Sequence, residues 1–118
     1  MIFRKSFQER RRDPRLTHQV PVKIIQEDGD IVTETTNISR SGVYCRVNRA
    51  LAPMSKLKVR LLLQVNHNGK MVAKHVNCTG VVVRTEPIDN VYNVAIFFND
   101  ISKKDSECIS NYLNSCAT

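Results

Sequence analysis

The feature that most constrains this chain is a period of two in its apolar residues, which recurs in several short segments. The clearest segment is 57–65, in which leucine or valine occupies every odd position. Such alternation predicts a half-buried strand, because successive side chains of a strand point to opposite faces. The Asn68-Gly69 pair that follows is typical of a two-residue hairpin turn. The segment therefore predicts an antiparallel hairpin with one face in a core.

Five further segments are predicted as strands from the same period or from β-branched composition. They are 20–25, 31–36, 43–48, 70–86 and 92–98. Turns are expected at 27–30 and at 87–90, where Gly, Pro, Asp and Asn accumulate. Gly80 interrupts the longest segment and predicts a bulge or a corner there.

The period changes after Ser102, which stands three residues before Asp105 in the manner of a helix-capping pair. One helical face then carries Cys108, Ile109, Tyr112, Leu113 and Cys116. Together these patterns predict a mostly β fold, a six-stranded antiparallel barrel with a C-terminal α-helix. At 118 residues, we expect a single domain over 17–118, preceded by a flexible basic N-terminal arm over 1–16.

Charge is distributed unevenly along the chain, whose formal net charge is +7. Residues 35–85 contain nine lysines and arginines and no acidic residue. Such blocks favour anionic partners, although a solvated surface has the same composition. No apolar run is long enough to span a membrane, and the charged N-terminus is unlike a secretory signal, so we expect a cytoplasmic protein.

The cysteines and histidines carry no metal-binding pattern. None of the four cysteines is in a CxxC pair, and the three histidines are scattered. We therefore expect no metal site and no cofactor, and thiols in a reducing compartment.

A run of arginines precedes the first predicted strand. Arg11 and Arg15 are four residues apart, with Arg10 and Arg12 beside the first of them. Pro14 disfavours helix at the residue before it, so the segment is expected to be extended. Arginine binds phosphate oxygens in pairs and can hydrogen-bond N7 and O6 of guanine. The run is therefore either a ligand-binding arm or a solvated basic tail.

A second motif lies at the junction of the second and third predicted strands. Asn37 and Ser39 are two residues apart and share a face in extended chain. Gly42 allows a tight turn or a close approach of the backbone to a ligand. Arg40, between them, either attracts phosphate or faces solvent. The motif is either the floor of a polar site or an ordinary turn.

Taken together, RxxxR and, about twenty residues later, [D/N]xSxxG resemble the PilZ family of bacterial cyclic di-GMP receptors. The resemblance extends over nearly the whole chain. It implies that the arm folds across the outside of the barrel and that Arg11 and Arg15 contact the phosphates and guanines. Asn37, Ser39 and Gly42 would form the facing wall, with Asn37 where Asp is more frequent in the family.

The resemblance also implies roles for the flanking arginines. Arg10 holds the position that influences whether one or two stacked ligand molecules bind, and Arg12 adds a phosphate contact. Ligand binding would order the arm, and an effector protein, not identified by the sequence, would read the change. The processes implied are motility, pilus function, biofilm and exopolysaccharide formation, and virulence.

Three other functions are alternatives to a stand-alone receptor. An adapter that binds no nucleotide is disfavoured by the intact motif residues. A single-stranded nucleic-acid binder needs aromatic platforms, and beside Arg46, Lys58 and Arg60 only Tyr44 is available. An enzyme is disfavoured because no nucleophile–base pair or catalytic carboxylate pair is identifiable, so no catalytic residue is assigned. Whether the helix or the N-terminal phenylalanines form a homodimer stays open.

Overall fold

The computed structural model describes residues 19–27 and 29–117, so the basic arm and its four motif arginines lie outside the described residues. Six strands precede one helix, and the alternating apolar residues account for each strand. The elements, in chain order, are β1 (Pro21–Ile25), β2 (Ile31–Ile38), β3 (Gly42–Val47), β4 (Lys56–His67), β5 (Lys70–Ile88), β6 (Val91–Ile101) and α1 (Lys103–Ala117).

The strands form a closed antiparallel barrel in the order β1-β2-β3-β6-β5-β4. Neighbours in the chain pair in the hairpins β1–β2, β2–β3, β4–β5 and β5–β6, whereas β1–β4 and β3–β6 are long-range pairs. The prediction of a six-stranded antiparallel barrel followed by a helix is confirmed. Closure pairs the strand edges that an open sheet would leave exposed.

The core consists of the inward-facing residues of the strands, capped by the apolar face of α1. In β4, Leu57, Val59, Leu61 and Leu63 are buried, as the alternation predicts. Ile109, Tyr112 and Leu113 of α1 join the same cluster, and Cys108 packs against it. The side chain of Cys116 lies outside the described residues. The helix contacts β4 and β5 and so covers one end of the barrel.

The local signals for the hairpin and the helix start are confirmed. Asn68 and Gly69 have φ of 55° and 82°, as a two-residue turn with both central residues in the left-handed region requires. The backbone N–H of Asp105 donates to Ser102 Oγ at 3.0 Å, which caps the first turn of α1.

The predicted turn at 87–90 is wrong in its extent. β5 continues to Ile88, with Pro87 paired to Tyr92, and the reversal is confined to Asp89 and Asn90. Pairing between β5 and β4 ends at Val81. Pro87 therefore lies on a stretch with only one neighbouring strand. The lack of an N–H at Pro87 does not remove a hydrogen bond of the sheet there.

The irregularity predicted at Gly80 is present. The β5–β6 register shifts between Thr79 and Gly80, and again between Val82 and Arg84. The second shift makes Val83 an extra residue of β5 and leaves its side chain 54% exposed. Bulges bend a strand and redirect its side chains, and this one brings Val83 to the groove described below.

Candidate functional site

A β-bulge in β2 decides which way the second motif faces. Thr35 pairs with Cys45, but Asn37 pairs with Tyr44, so Thr36 is an extra residue. Ile31 and Thr35 are buried on the inward face, and an uninterrupted strand would place Asn37 on that face too. The bulge reverses the phase, so that Ile38 enters the core and Asn37 turns outward. β2 also runs two residues past the predicted end at 36, which makes Asn37 a strand residue.

Hydrogen bonds hold the loop after β2 in a tight turn. The Ser39 N–H donates to the Gly42 carbonyl at 2.9 Å, and the Ser41 N–H donates to Ser39 Oγ at 3.2 Å. The two hydroxyl oxygens, Ser39 Oγ and Ser41 Oγ, are 3.1 Å apart. The Phe98 N–H donates to the Ser41 carbonyl at 2.9 Å, which fixes the loop against β6. Ser39 is thereby buried with its polar atoms satisfied.

Gly42 is required by the closeness of two strands. It pairs with Phe97, and a Cβ at this position would collide with the carbonyl oxygen of Ile96. The same Cβ would lie 3.3 Å from the Phe97 Cα. Of the two alternatives that the sequence left open at Gly42, the tight turn is present, closed by the Ser39 N–H on the Gly42 carbonyl. The described structure also shows an approach of Gly42 to the backbone of β6.

These elements enclose a groove of about 220 Å³ on the outside of the barrel. One end carries the hydrogen-bonding groups of the motif loop, and the rest is apolar and aromatic. The lining residues are Asn37, Ser39, Ser41, Gly42, Val43, Tyr44, Val83, Ala95, Ile96 and Phe97. Ala95 of β6 pairs with Tyr44 of β3 on one side and with Arg84 of β5 on the other. Its small side chain provides the floor of the groove.

The structure brings together three of the predicted site residues. Asn37, Ser39 and Gly42 all line the groove. Arg40 is exposed on the same loop and does not line it. Arg10, Arg11, Arg12 and Arg15 lie outside the described residues.

Seven lining residues were not identified from the sequence as site residues: Ser41, Val43, Tyr44, Val83, Ala95, Ile96 and Phe97. A signal existed for Phe97, because the alternation of Val94, Ile96 and Phe98 assigns it to the outward face. An aromatic side chain in an outward position, here 49% exposed, marks a surface available for contact. Val83 carried no such signal, since its direction depends on the bulge.

No lysine, arginine, aspartate or glutamate lines the groove among the described residues. The groove can therefore accept hydrogen bonds, donate them and cover flat apolar rings, but it supplies no charge of its own. Elsewhere in the described residues, no three His, Cys, Asp or Glu side chains come together in a way that could hold a metal ion. Burial raises the pKa of the Cys45 and Cys78 thiols to about 12, with the Asp105 carboxylate adding to the effect at Cys78. Both are thus inert core residues.

Over the same part of the chain, α1 is too short and too polar to cross a membrane.

Several solved structures share this fold. The inhibitor of motility MotI/DgrA from Bacillus subtilis has a TM-score of 0.70 and 20% identity, over 93% of this chain and 50% of that chain. YcgR from Escherichia coli, solved in complex with c-di-GMP, has a TM-score of 0.68 and 12% identity, over 92% of this chain and 46% of that chain. The PilZ domain of YcgR with c-di-GMP has a TM-score of 0.65 and 12% identity, over 91% of both chains.

This chain thus spans about half the length of the first two proteins. At these identities the likeness concerns the fold. A search of curated protein sequences found no match. The family model described as "PilZ domain" matches residues 9–115, which is most of the chain and includes both motifs. The chain belongs to the PilZ domain family.

Proposed function

We propose that this protein is a cyclic di-GMP receptor, and that the groove on β2, β3, β5 and β6 is one wall of its binding site. The observation that carries the proposal is the convergence of Asn37, Ser39 and Gly42 on a groove that is also lined by two aromatic side chains, Tyr44 and Phe97. Amide and hydroxyl groups suit the edges of guanine, and Tyr44 and Phe97 suit its faces. The two YcgR structures that share this fold contain c-di-GMP.

The uncharged lining supports a role for the arginine arm. Cyclic di-GMP carries two phosphate charges, and burying them without a cationic partner is costly. Arg11 and Arg15, with Arg10 and Arg12, lie within the residues matched by the family model. We assign them the phosphate contacts, with Arg40 at the exposed edge of the motif loop.

The size of the groove supports the same assignment. At about 220 Å³ it is smaller than the roughly 300–1,000 Å³ of ordinary ligand pockets. It therefore covers part of a ligand, and a second wall is needed. We propose that residues 1–16 form an arm that supplies this wall over a barrel domain of residues 17–118.

Closure of the arm on the ligand is the proposed signal. A segment that becomes ordered on binding creates a surface that a partner can distinguish. The protein then acts as a receptor and adapter in the cytoplasm, without catalysis, and passes the signal to an effector protein. Control of motility, biofilm or exopolysaccharide formation, or virulence is the proposed output.

Isothermal titration calorimetry with cyclic di-GMP tests the proposal directly. The full chain should bind, and Arg11→Ala/Arg15→Ala should weaken binding by about 2–5 kcal/mol, because it removes paired charge-assisted contacts. The matched control is Arg4→Ala/Lys5→Ala, which removes two positive charges from the same arm outside the motif. The control should bind like the wild type.

The groove is tested separately with Asn37→Ala, for which the control is Asn77→Ala, at an exposed position of the β4–β5 pair that does not line the groove. Asn37→Ala should weaken binding, and Asn77→Ala should not. Absence of binding by the wild type would refute the receptor and favour an adapter that recognises proteins alone. Equal losses in motif and control variants would refute the assignment of the site.

A further inference from the structure

Three exposed basic side chains and one half-buried lysine form one patch on the outside of the barrel, away from the groove. We call it the basic face, and it consists of Lys23, Lys56, Lys58 and Arg60. The three β4 members alternate with the buried Leu57, Val59 and Leu61, so all three point outward. Lys23 lies directly opposite Arg60 in the β1–β4 pair, which joins the fourth charge to the row.

Little in the described structure neutralises this face. Residues 56–81, which make up β4 and its partner stretch of β5, contain no Asp or Glu. Asp30 lies beside the face, with its Oδ2 atom 3.5 Å from Lys23 Nζ. Both side chains of that pair are more than a third exposed, so solvent screens their attraction.

The arrangement is unfavourable for folding. Like charges directly opposite each other on neighbouring strands, such as Lys23 and Arg60, are destabilising. Arg60 Nε donates to Asn77 Oδ1 at 2.9 Å, which holds the guanidinium over β5. An oriented guanidinium in a repulsive row suits the binding of an external anionic group better than it suits stability.

The basic face and the groove lie on different parts of the barrel. No residue of β1 or β4 lines the groove, which is built from β2, β3, β6 and one end of β5. Both surfaces can therefore be occupied at the same time. A partner on the basic face would leave the groove accessible.

We infer that the basic face is a docking surface for an acidic segment of a protein partner. The cross-strand neighbours of Lys58 and Arg60 are Ile25, Thr79, Lys23 and Asn77, none of them aromatic. Single-stranded nucleic acid needs aromatic stacking platforms, which this face lacks. Interfacial membrane binding relies on several large apolar side chains such as Trp, Phe and Leu. Beside this face, Val32 opposite Lys23 is 76% exposed, but it is a single valine, and Ile25 is half-buried. Carboxylates on a protein need only the oriented charges that are present.

Fluorescence anisotropy with a fluorescein-labelled Glu-rich peptide, titrated with the full chain, tests this inference. Lys58→Glu/Arg60→Glu should weaken binding by about tenfold or more. The control Lys103→Glu/Lys104→Glu changes the net charge equally at exposed positions on α1 and should weaken it by less than about threefold. A peptide with Gln in place of Glu should not bind. Urea unfolding of both variants confirms that each is folded.

Three results would overturn the inference. Equal weakening by the two double variants would mean that only net charge matters. Tighter binding to phosphatidylglycerol vesicles or to an oligo-dT strand than to the peptide, lost in the Lys58→Glu/Arg60→Glu variant, would assign the face to another class of partner. No binding of the peptide by the wild type would remove the basis of the proposal. None of these results depends on whether the chain binds cyclic di-GMP, so the two proposals fail separately.

Discussion

Replacing Gly42 with alanine tests whether the motif glycine serves the barrel itself. Gly42 opens β3 opposite Phe97, and its φ is not in the left-handed region. Conformation therefore does not exclude alanine there. Space does, because the new Cβ would collide with the Ile96 carbonyl oxygen. That oxygen belongs to the backbone of β6 and cannot be moved by rotating a side chain.

The expected magnitude follows from two opposing effects. At a position without a conformational demand, Gly→Ala stabilises by about 0.4–1 kcal/mol through the unfolded chain. Overpacking costs about 1–3 kcal/mol, and a collision between two strands lies at the upper end of that range. The net loss should be about 2 kcal/mol, which lowers Tm by about 8 °C in a domain of this size.

Urea and thermal unfolding, followed by circular dichroism, measure this loss. The control is Gly69→Ala, where an added Cβ meets nothing within 4 Å but φ is 82°. It should cost about 1–2 kcal/mol through backbone strain alone. If Gly42→Ala is as stable as the wild type, the strand-approach explanation is wrong. The glycine would then be needed by the ligand, and only cyclic di-GMP binding would fall.

Three further predictions concern single side chains. Phe97→Ala should weaken cyclic di-GMP binding by about 1–3 kcal/mol in calorimetry, because a base loses its stacking surface. The control Val32→Ala, at a 76% exposed position outside the groove, should leave cyclic di-GMP binding unchanged. Equal weakening by the two variants would contradict the assignment of Phe97 to the binding site. Burial raises the pKa of Cys45 from 9.0 to about 12, so above pH 9 the unfolded chain loses this proton first and stability falls as pH rises. The share of this fall due to Cys45 at pH 10 is on the order of 1 kcal/mol. Urea unfolding at pH 8 and pH 10 should show a smaller fall in stability for Cys45→Ala than for the wild type, and identical falls in both proteins would refute this prediction. Ser102→Ala should lower the free energy of unfolding by about 1 kcal/mol through loss of the cap on α1, and an unchanged urea midpoint would argue against that cap.

Much of the fold could be predicted from the sequence because its signals are local. Alternation over 57–65 and the Asn68-Gly69 turn identify the β4–β5 hairpin without reference to any other segment. Ser102 and the apolar face that follows likewise identify α1. The end of β5 could not be predicted, since Pro87 is acceptable only because β4 has already ended there.

The candidate site could also be predicted only in part. Its motif residues can be identified from the sequence, because short polar side chains and a glycine at that spacing are visible in the chain itself. Their direction is not, because one extra residue at Thr36 reverses which face Asn37 occupies, and only the pairing with β3 reveals it. The apolar part of the groove includes Val83 and Phe97, which are far along the chain from the motif. They reach the motif because β3 pairs with β6 and β6 with β5 when the barrel closes, and such long-range pairing is decided by the packing of the whole core.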